Sequence, residues 1–381
     1  MTVIFLDEET LLTQIEPTPT LLYWYGTDPE LRLINNSDDE LQVHVIDYGL
    51  QWTELLNTSI SGSYSVKPTP ALPLGDYIYR IIGKDYNIGH GSGTNQQAFD
   101  NNNKKDLKKV ELGNTAKLTT HAFDFCNNVE EVTLSPRTRQ LPNNAFGFNN
   151  SLDTVDFSTG LLEIGALAFI NSSIKNLTLP LPLTRIYSQV FADSSQLETL
   201  VLPSSLREIR WDAFARCPKI ETVTIPKNVN FIWEGVFNKC TSLENIIVDS
   251  ENSSYSNYNG DGILYNYGIT NLLQYPAGKN LTVYELPSTI TSVWGRIFSG
   301  CLFIEDIIFP NSVVSLGSNM LDGCNNLNSL TFHSITPPSI HNNTFSNTPE
   351  TVKIYVPNES VDLYKQAEHW SAYAGKIQAI E

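Results

Sequence analysis

One feature constrains this chain more than any other: a short skeleton that returns at nearly fixed intervals. Leu206 to Pro226 reads L-R-E-I-R-W-D-A-F-A-R-C-P-K-I-E-T-V-T-I-P. It holds an Ala-Phe pair, a small residue three places after the Phe, and an apolar-x-apolar step closed by Pro. The Phe members are Phe99, Phe123, Phe146, Phe169, Phe191, Phe214, Phe237, Phe298 and Phe345, with Leu321 standing in once, and all but one interval is 22 to 24 residues. The step keeps the same beat, for example at Leu177/Leu179, Leu200/Leu202, Val223/Ile225 and Ile307/Phe309. A period of this length marks a solenoid, because one unit cannot bury its apolar face without neighbours.

Alternation in Val223-Thr224-Ile225 places Val and Ile inside and Thr outside, so stacked coils build a parallel sheet with one short strand per coil. The following Pro lacks an N–H and ends the strand. Ala213-Phe214 is expected to fill the opposite wall, with Ala leaving room for the ring. Cys126, Cys217, Cys240, Cys301 and Cys324 lie three after the repeat Phe or its Leu substitute, in a slot that elsewhere holds Asn149, Ser172 or Ser194. That choice of residues predicts small side chains hydrogen-bonded to turn backbone, hence buried free thiols and not a metal or redox site.

The A-F-x-x-C and L-P elements resemble the BspA-like subgroup of leucine-rich repeats, over about 98–381. Asn257-Tyr258 through Tyr275-Pro276-Ala277-Gly278-Lys279 is similar to that family's hairpin insertion, and Ile354-Tyr355-Val356-Pro357 through Trp370 and Ile377 to its terminal cap. The resemblance implies a bacterial cell-surface or extracellular location and an adhesive role. Met1-Thr2-Val3-Ile4-Phe5-Leu6-Asp7 does not read as a signal peptide, so an exported protein would have been trimmed before Met1.

The expected organisation is a small all-β domain over 1–86, a solenoid over 87–335 with a projecting hairpin at about 250–280, and a capping segment over 336–381. In the first part, Leu31-x-Leu33, Leu41-x-Val43-x-Val45, Ser63–Val66 and Tyr77–Ile81 alternate like strands of a half-buried antiparallel sheet. The turn Leu74-Gly75-Asp76-Tyr77-x-Tyr79 suggests an immunoglobulin-like arrangement by loose analogy. Gly89-His90-Gly91-Ser92-Gly93 has neither phosphate-loop nor nucleophile-elbow spacing and reads as a flexible joint. In the cap, Ser360 is placed to cap a short helix with Leu363 and Ala367 on one face, and Trp370, Tyr373 and Ile377 suit a second helix.

A net charge of −17 argues against nucleic acid as a partner. No apolar run is long enough for membrane insertion. The Asn257–Gly262 stretch lacks the acid and glycine positions of a calcium loop, and the six histidines show no ligand or catalytic spacing, so the expectation is no cofactor, no metal and no enzyme. Binding residues are sought on two surfaces. The outward strand positions give a Thr/Asn centre at Thr178, Thr199, Thr222, Thr224 and Asn245. The position after the inward residue that precedes Ala-Phe is Gly at Gly165 and Gly317 but carries Tyr187, Trp233 and Trp294, which alternation turns outward in a column; Arg210 takes the slot between Tyr187 and Trp233, and leaves Trp211 able to turn inward. Exposed rings in a column need a cover: the hairpin, the N-terminal domain or a ligand. The leading function is therefore binding of protein or glycan ligands, with a module that orders neighbouring domains as the alternative and an enzyme hidden in residues 1–86 as a third.

Overall fold

A computed structural model describes residues 20–26, 31–35, 41–47, 53–58, 62–66, 75–83, 86–88, 107–114 and 116–380. The Gly89–Gly93 stretch and the first repeat Phe, Phe99, lie outside these. The chain falls into two compact units, Met1–Leu161 and Leu162–Glu381. Among the described residues no helix is long and apolar enough to cross a membrane.

In the first unit, seven strands precede the repeats: β1 (Thr20–Gly26), β2 (Leu31–Asn35), β3 (Leu41–Asp47), β4 (Thr53–Thr58), β5 (Gly62–Val66), β6 (Gly75–Gly83) and β7 (Tyr86–Ile88). They form two sheets, in the orders β4-β3-β6-β1 and β5-β2-β7, antiparallel throughout. Leu22 and Val43 from one sheet and Leu31, Leu33 and Ile88 from the other are fully buried. The first repeat strands, β8 (Leu107–Glu111) and β9 (Ala116–Leu118), extend both sheets: β8 pairs antiparallel with β1, and β9 parallel with β7. A boundary at 86/87 therefore cuts through β7, and the two parts share hydrogen-bonded sheets. The fusion covers the first coil, whose open edge would otherwise expose a row of unpaired N–H and C=O groups.

The second unit shows the coil in its regular form. One wall carries the outward-Thr strands: Asn176–Thr178 pairs with Thr199–Val201, and Thr222–Ile225 with Asn245–Val248, parallel and in register with Val223 opposite Ile246. The other wall carries two-residue strands, Glu163–Ile164, Arg185–Ile186, Glu208–Ile209 and Phe231–Ile232, each one coil after the last. Next comes the Ala-Phe turn, and here the backbone does what side-chain patterning could not announce. Residues two before and two after the Phe take positive φ, as at Asp212 (53°) and Arg216 (57°) around Phe214. Left-handed backbone at a non-Gly residue costs roughly 1–2 kcal/mol. It is repaid inside, where Phe169, Phe191, Phe214 and Phe237 stack nearly parallel, with centroids 5.5, 5.5 and 5.7 Å apart. All four are essentially buried.

The Cys slot is occupied as the sequence predicts. Cys217 Sγ donates to the carbonyl of Phe191 in the preceding coil, Cys240 to that of Phe214 and Cys324 to that of Phe298 (3.2, 3.1 and 2.9 Å). Asn149 Nδ2 makes the same bond to Phe123 O. All five thiols are free and buried, and burial pushes that of Cys240 up to about 12.

The insertion departs from a projecting hairpin. Tyr255–Ser256 and Leu264–Asn266 pair antiparallel, but Asn271–Gln274 pairs antiparallel with Leu264–Asn266 on one side and parallel with Ser292–Val293 on the other. Its second arm is thus itself a rung of the short-strand wall, with Leu272 and Tyr275 fully buried. An arm that apolar has to be built into the stack. On the other wall Gly262 accepts from Ile246 N, and Asn257 bonds Ile246 and Val248, so the insertion closes the edge of Asn245–Val248.

The cap also differs in detail. Helix α1 (Val361–Gln366) has no side-chain cap from Ser360, whose hydroxyl is buried without a partner. Its inward residue is Tyr364, while Leu363 is half exposed. Trp370–Lys376 is a 3₁₀ helix, and Ile377–Ala379 is a strand that pairs parallel with Lys353–Val356. Trp370 packs edge-on to Phe332 and Phe345 and donates Nε1–H to Pro338 O at 2.8 Å.

Two measurements check this core. Phe214→Ala removes a ring stacked on two neighbours and should cost roughly 3–5 kcal/mol, against less than about 1 kcal/mol for exposed Thr224→Ala, in denaturant melts. Equal losses would contradict the inside-outside assignment. Thiol titration should find almost no reactive cysteine in the native protein and five after denaturation without reductant; three or fewer would show a disulfide.

Candidate functional site

The two sets of sequence-nominated residues lie on different walls. Thr178, Thr199, Thr222 and Thr224 are exposed and Asn245 half-buried on the long-strand wall. There Thr199 is opposite Asn176, and Thr222 opposite Asn245, on neighbouring rungs. Val201 and Ile247 are also exposed on that wall.

Tyr187, Trp211, Trp233 and Trp294 lie on the short-strand wall, and they divide into two environments. Tyr187 already has a cover. The Arg210 guanidinium sits over its ring, 4.3 Å from the centroid, and the Tyr187 hydroxyl donates to Glu163 at 3.3 Å. Arg210 pairs with Glu208 (2.7 Å), which also binds Arg185 (2.6 Å), and Arg185 reaches Glu163 (2.6 Å). Burial pushes the Glu208 carboxyl up, but hydrogen bonds from Arg210 and Arg185 win and hold it below its ordinary value. Tyr187 is thus a member of a closed charge ladder.

From Trp211 onward the column opens. Trp211 does not turn inward: it is 49 % exposed, and Phe231, two places before Trp233, is 53 % exposed. The Trp211 and Trp233 centroids are 4.2 Å apart at 64°, and Phe231 lies 5.5 Å from Trp233. With Trp294 they line a groove of about 770 Å3, together with Tyr255, Glu234 and His341.

The groove exists because the short-strand wall is interrupted there. Phe231–Ile232 ends one sheet, and the next begins at the insertion with Tyr255–Ser256. In place of a following strand, Ile232 N–H donates to the Tyr255 hydroxyl at 2.7 Å. Further along, Gly317 shows why this slot takes glycine in a regular coil, since a Cβ there would run into the backbone of Trp294 and Gly295. Gly295 in turn leaves the space that the Glu234 carboxylate occupies.

The groove's charges are unevenly satisfied. Asp212 receives Arg296 at 3.1 Å, although its Oδ1 is buried without a partner. Trp233 Nε1 is likewise buried and unpaired. Among the described residues Glu234 has neither a hydrogen bond nor an ion pair; burial pushes its carboxyl above the ordinary range, Asp212 adds to this, and Arg296 and His341 oppose it at a distance. Leaving a half-buried carboxylate unpaired is expensive, and a carboxyl perturbed in this way within a groove is a candidate for a functional site. Among the described residues no group of three His, Cys, Asp or Glu is placed to hold a metal ion.

Reading outward parity one strand earlier would have found Phe231. Glu234, Tyr255 and Arg296 carry no such signal, because the insertion brings them together.

Because the folded carboxyl is raised, Glu234 penalises folding above that raised value, and the penalty is absent below the ordinary glutamate range. Glu234→Gln should therefore raise the melting temperature at pH 7 by about 1–3 °C. The difference should fade near about pH 4. A lower melting temperature at both pH values would mean that the carboxylate makes a structural contact.

Comparison with known proteins fits this architecture. A family model described as BspA type leucine rich repeat region, in six copies, matches residues 93–198, 163–272 and 275–368. No curated protein matches the chain. Among solved structures, the pneumococcal vaccine antigen PcpA is similar at 22 % identity and TM-score 0.52, over 77 % of this chain and 92 % of that one. A leucine-rich repeat protein from Eubacterium ventriosum is similar at 24 % and 0.50, over 61 % and 68 % of the two chains. One from Bacteroides ovatus is similar at 16 % and 0.51, over 79 % and 88 %. At these identities the solved structures speak for the fold, and the family match, which spans most of the repeats, carries the assignment: the chain belongs to the BspA-type leucine-rich repeat proteins.

Proposed function

We propose that this is a non-enzymatic binding protein of the bacterial surface, and that the aromatic groove at the insertion, not the Thr-rich wall, is where it holds its ligand. One observation carries the reading: Trp211 and Phe231 are half exposed, each against Trp233, where the short-strand wall ends, and a solenoid that had only to stay folded would place small or polar residues there. The family to which the chain belongs supports the surface setting, as does the vaccine-antigen description of the pneumococcal protein it resembles. The ligand is a protein or glycan of a host or neighbouring cell.

A second reading has its own observation. Val201 and Ile247 on the long-strand wall, with Val283 beyond the insertion, are about half exposed, and such residues suit a module that orders copies of itself or adjacent domains.

The test uses the whole chain on glycan and matrix-protein arrays, with Trp211→Ala/Phe231→Ala beside it. Both rings are half in solvent, so the double variant should keep its melting temperature within a few degrees. Loss of at least about 2 kcal/mol of binding, two rings at roughly 1 kcal/mol each, supports the groove. Unchanged binding by the variant, or concentration-dependent self-association abolished by Val201→Thr/Ile247→Thr, supports the second reading instead.

A further inference from the structure

The short-strand wall contains its own example of what such a groove holds. In successive coils the slot after the inward residue carries Tyr187, Arg210 and Trp233, then Trp294 beyond the insertion. Across the first two, a guanidinium sits over an aromatic ring with a carboxylate beside it: Arg210 over Tyr187 at 4.3 Å, paired with Glu208 at 2.7 Å. The second half of the column has the same two ingredients, aromatic faces from Trp211, Trp233 and Trp294 and a carboxylate from Glu234, and no guanidinium among them. Of the two groups whose charge opposes the rise at Glu234 from a distance, Arg296 makes its ion pair with Asp212, and His341 lines the groove without an ion pair to Glu234.

We propose that the groove takes an arginine side chain presented by a partner polypeptide, stacked on the indoles and paired with Glu234. This rests on the reading of the groove as the ligand site and names the chemistry of what enters it.

Three considerations choose this occupant. Charge complementarity comes first. The chain carries −17 overall and an unpaired carboxylate in an aromatic pocket, where a desolvated cation–ring contact is strongest. Geometry comes second. A planar guanidinium can lie on a ring and still present N–H groups edgewise to a carboxylate, and Arg210 meets both kinds of partner at once; an ammonium lacks that planar fork. Size comes third. About 770 Å3 far exceeds a single small cation and accommodates several residues of chain. The polypeptide need not add a strand, because the Tyr255 hydroxyl already occupies the outward N–H of Ile232.

The experiment selects phage-displayed random dodecapeptides on the intact protein and measures the recovered peptides by titration calorimetry. Arginine should be enriched in them. Replacing that arginine by citrulline, its neutral isostere, should weaken binding about tenfold or more, and so should Glu234→Gln. Binding should also weaken as salt rises. Recovered peptides without arginine enrichment, or equal binding of the citrulline form, would overturn the proposal. So would a response to choline chloride, sensitive to Trp211→Ala, when no arginine peptide is recovered. If arginine-free peptides or neutral glycans bind and Trp211→Ala abolishes it, the groove stands as the ligand site and its assigned chemistry falls. If no probe gives a signal that Trp211→Ala changes, both readings fall.

Discussion

Everything in the second unit depends on one coincidence of lengths. Parallel strands stack at roughly 4.8 Å, and aromatic rings offset-stack at 4.5–7 Å, so a phenyl ring repeated once per coil can touch its copies above and below without disturbing the ladders. The observed column, at 5.5 to 5.7 Å from Phe169 to Phe237, uses that match. The left-handed residues flanking each Phe are the cost of aiming the ring inward, and the Cys, Ser or Asn three places later ties the turn to the coil beneath it. Each coil is stable only against its neighbour, so an open coil needs a cover: β1 and β7 pair with the first repeat strands within the first unit, and Ile377–Ala379 with Trp370 finishes the second.

The repetition made most of this legible in the sequence. Strict recurrence located the strands, the inward residues and the thiol slot, because a side chain that must fit an identical neighbour has few alternatives. Legibility failed where repetition stopped. Tyr275-Pro276-Ala277-Gly278 was recognisable as an insertion, but nothing in its pattern said that Asn271–Gln274 would serve as a rung and not project. The groove was half visible. Trp233 and Trp294 stood out against the glycine usual in their slot, whereas Glu234 and Tyr255 became neighbours only through the way the insertion folds. Trp211 was ambiguous for a related reason: it directly precedes Asp212, whose positive φ breaks the alternation used to assign sides. Ser360 shows a third kind of failure. Its position suits a cap, but tertiary packing buries its hydroxyl away from the helix N–H groups.

Electrostatics separate the two halves of the aromatic column in a way that shape does not. Glu163, Arg185, Glu208 and Arg210 neutralise one another along the wall, leaving Tyr187 occupied. One coil later the same kind of surface has a carboxylate and no partner. A structure that balances its charges so fully in one place and leaves one half-buried in the next gives up stability locally, as functional sites commonly do.

The insertion also divides the unit mechanically. The short-strand wall stops at Phe231–Ile232 and the long-strand wall at Asn245–Val248, so both sheets are interrupted within one coil of each other. In place of strand ladders, the gap is spanned by single hydrogen bonds, such as Ile232 to Tyr255 and Gly278 to Leu243, and by the Asp212–Arg296 and Lys239–Asp322 ion pairs. In a one-dimensional array, where cooperativity passes only between neighbours, the coupling of the two halves runs through these contacts. A ligand seated between Trp233 on one side and Trp294 on the other would touch both halves and so add a link across that junction.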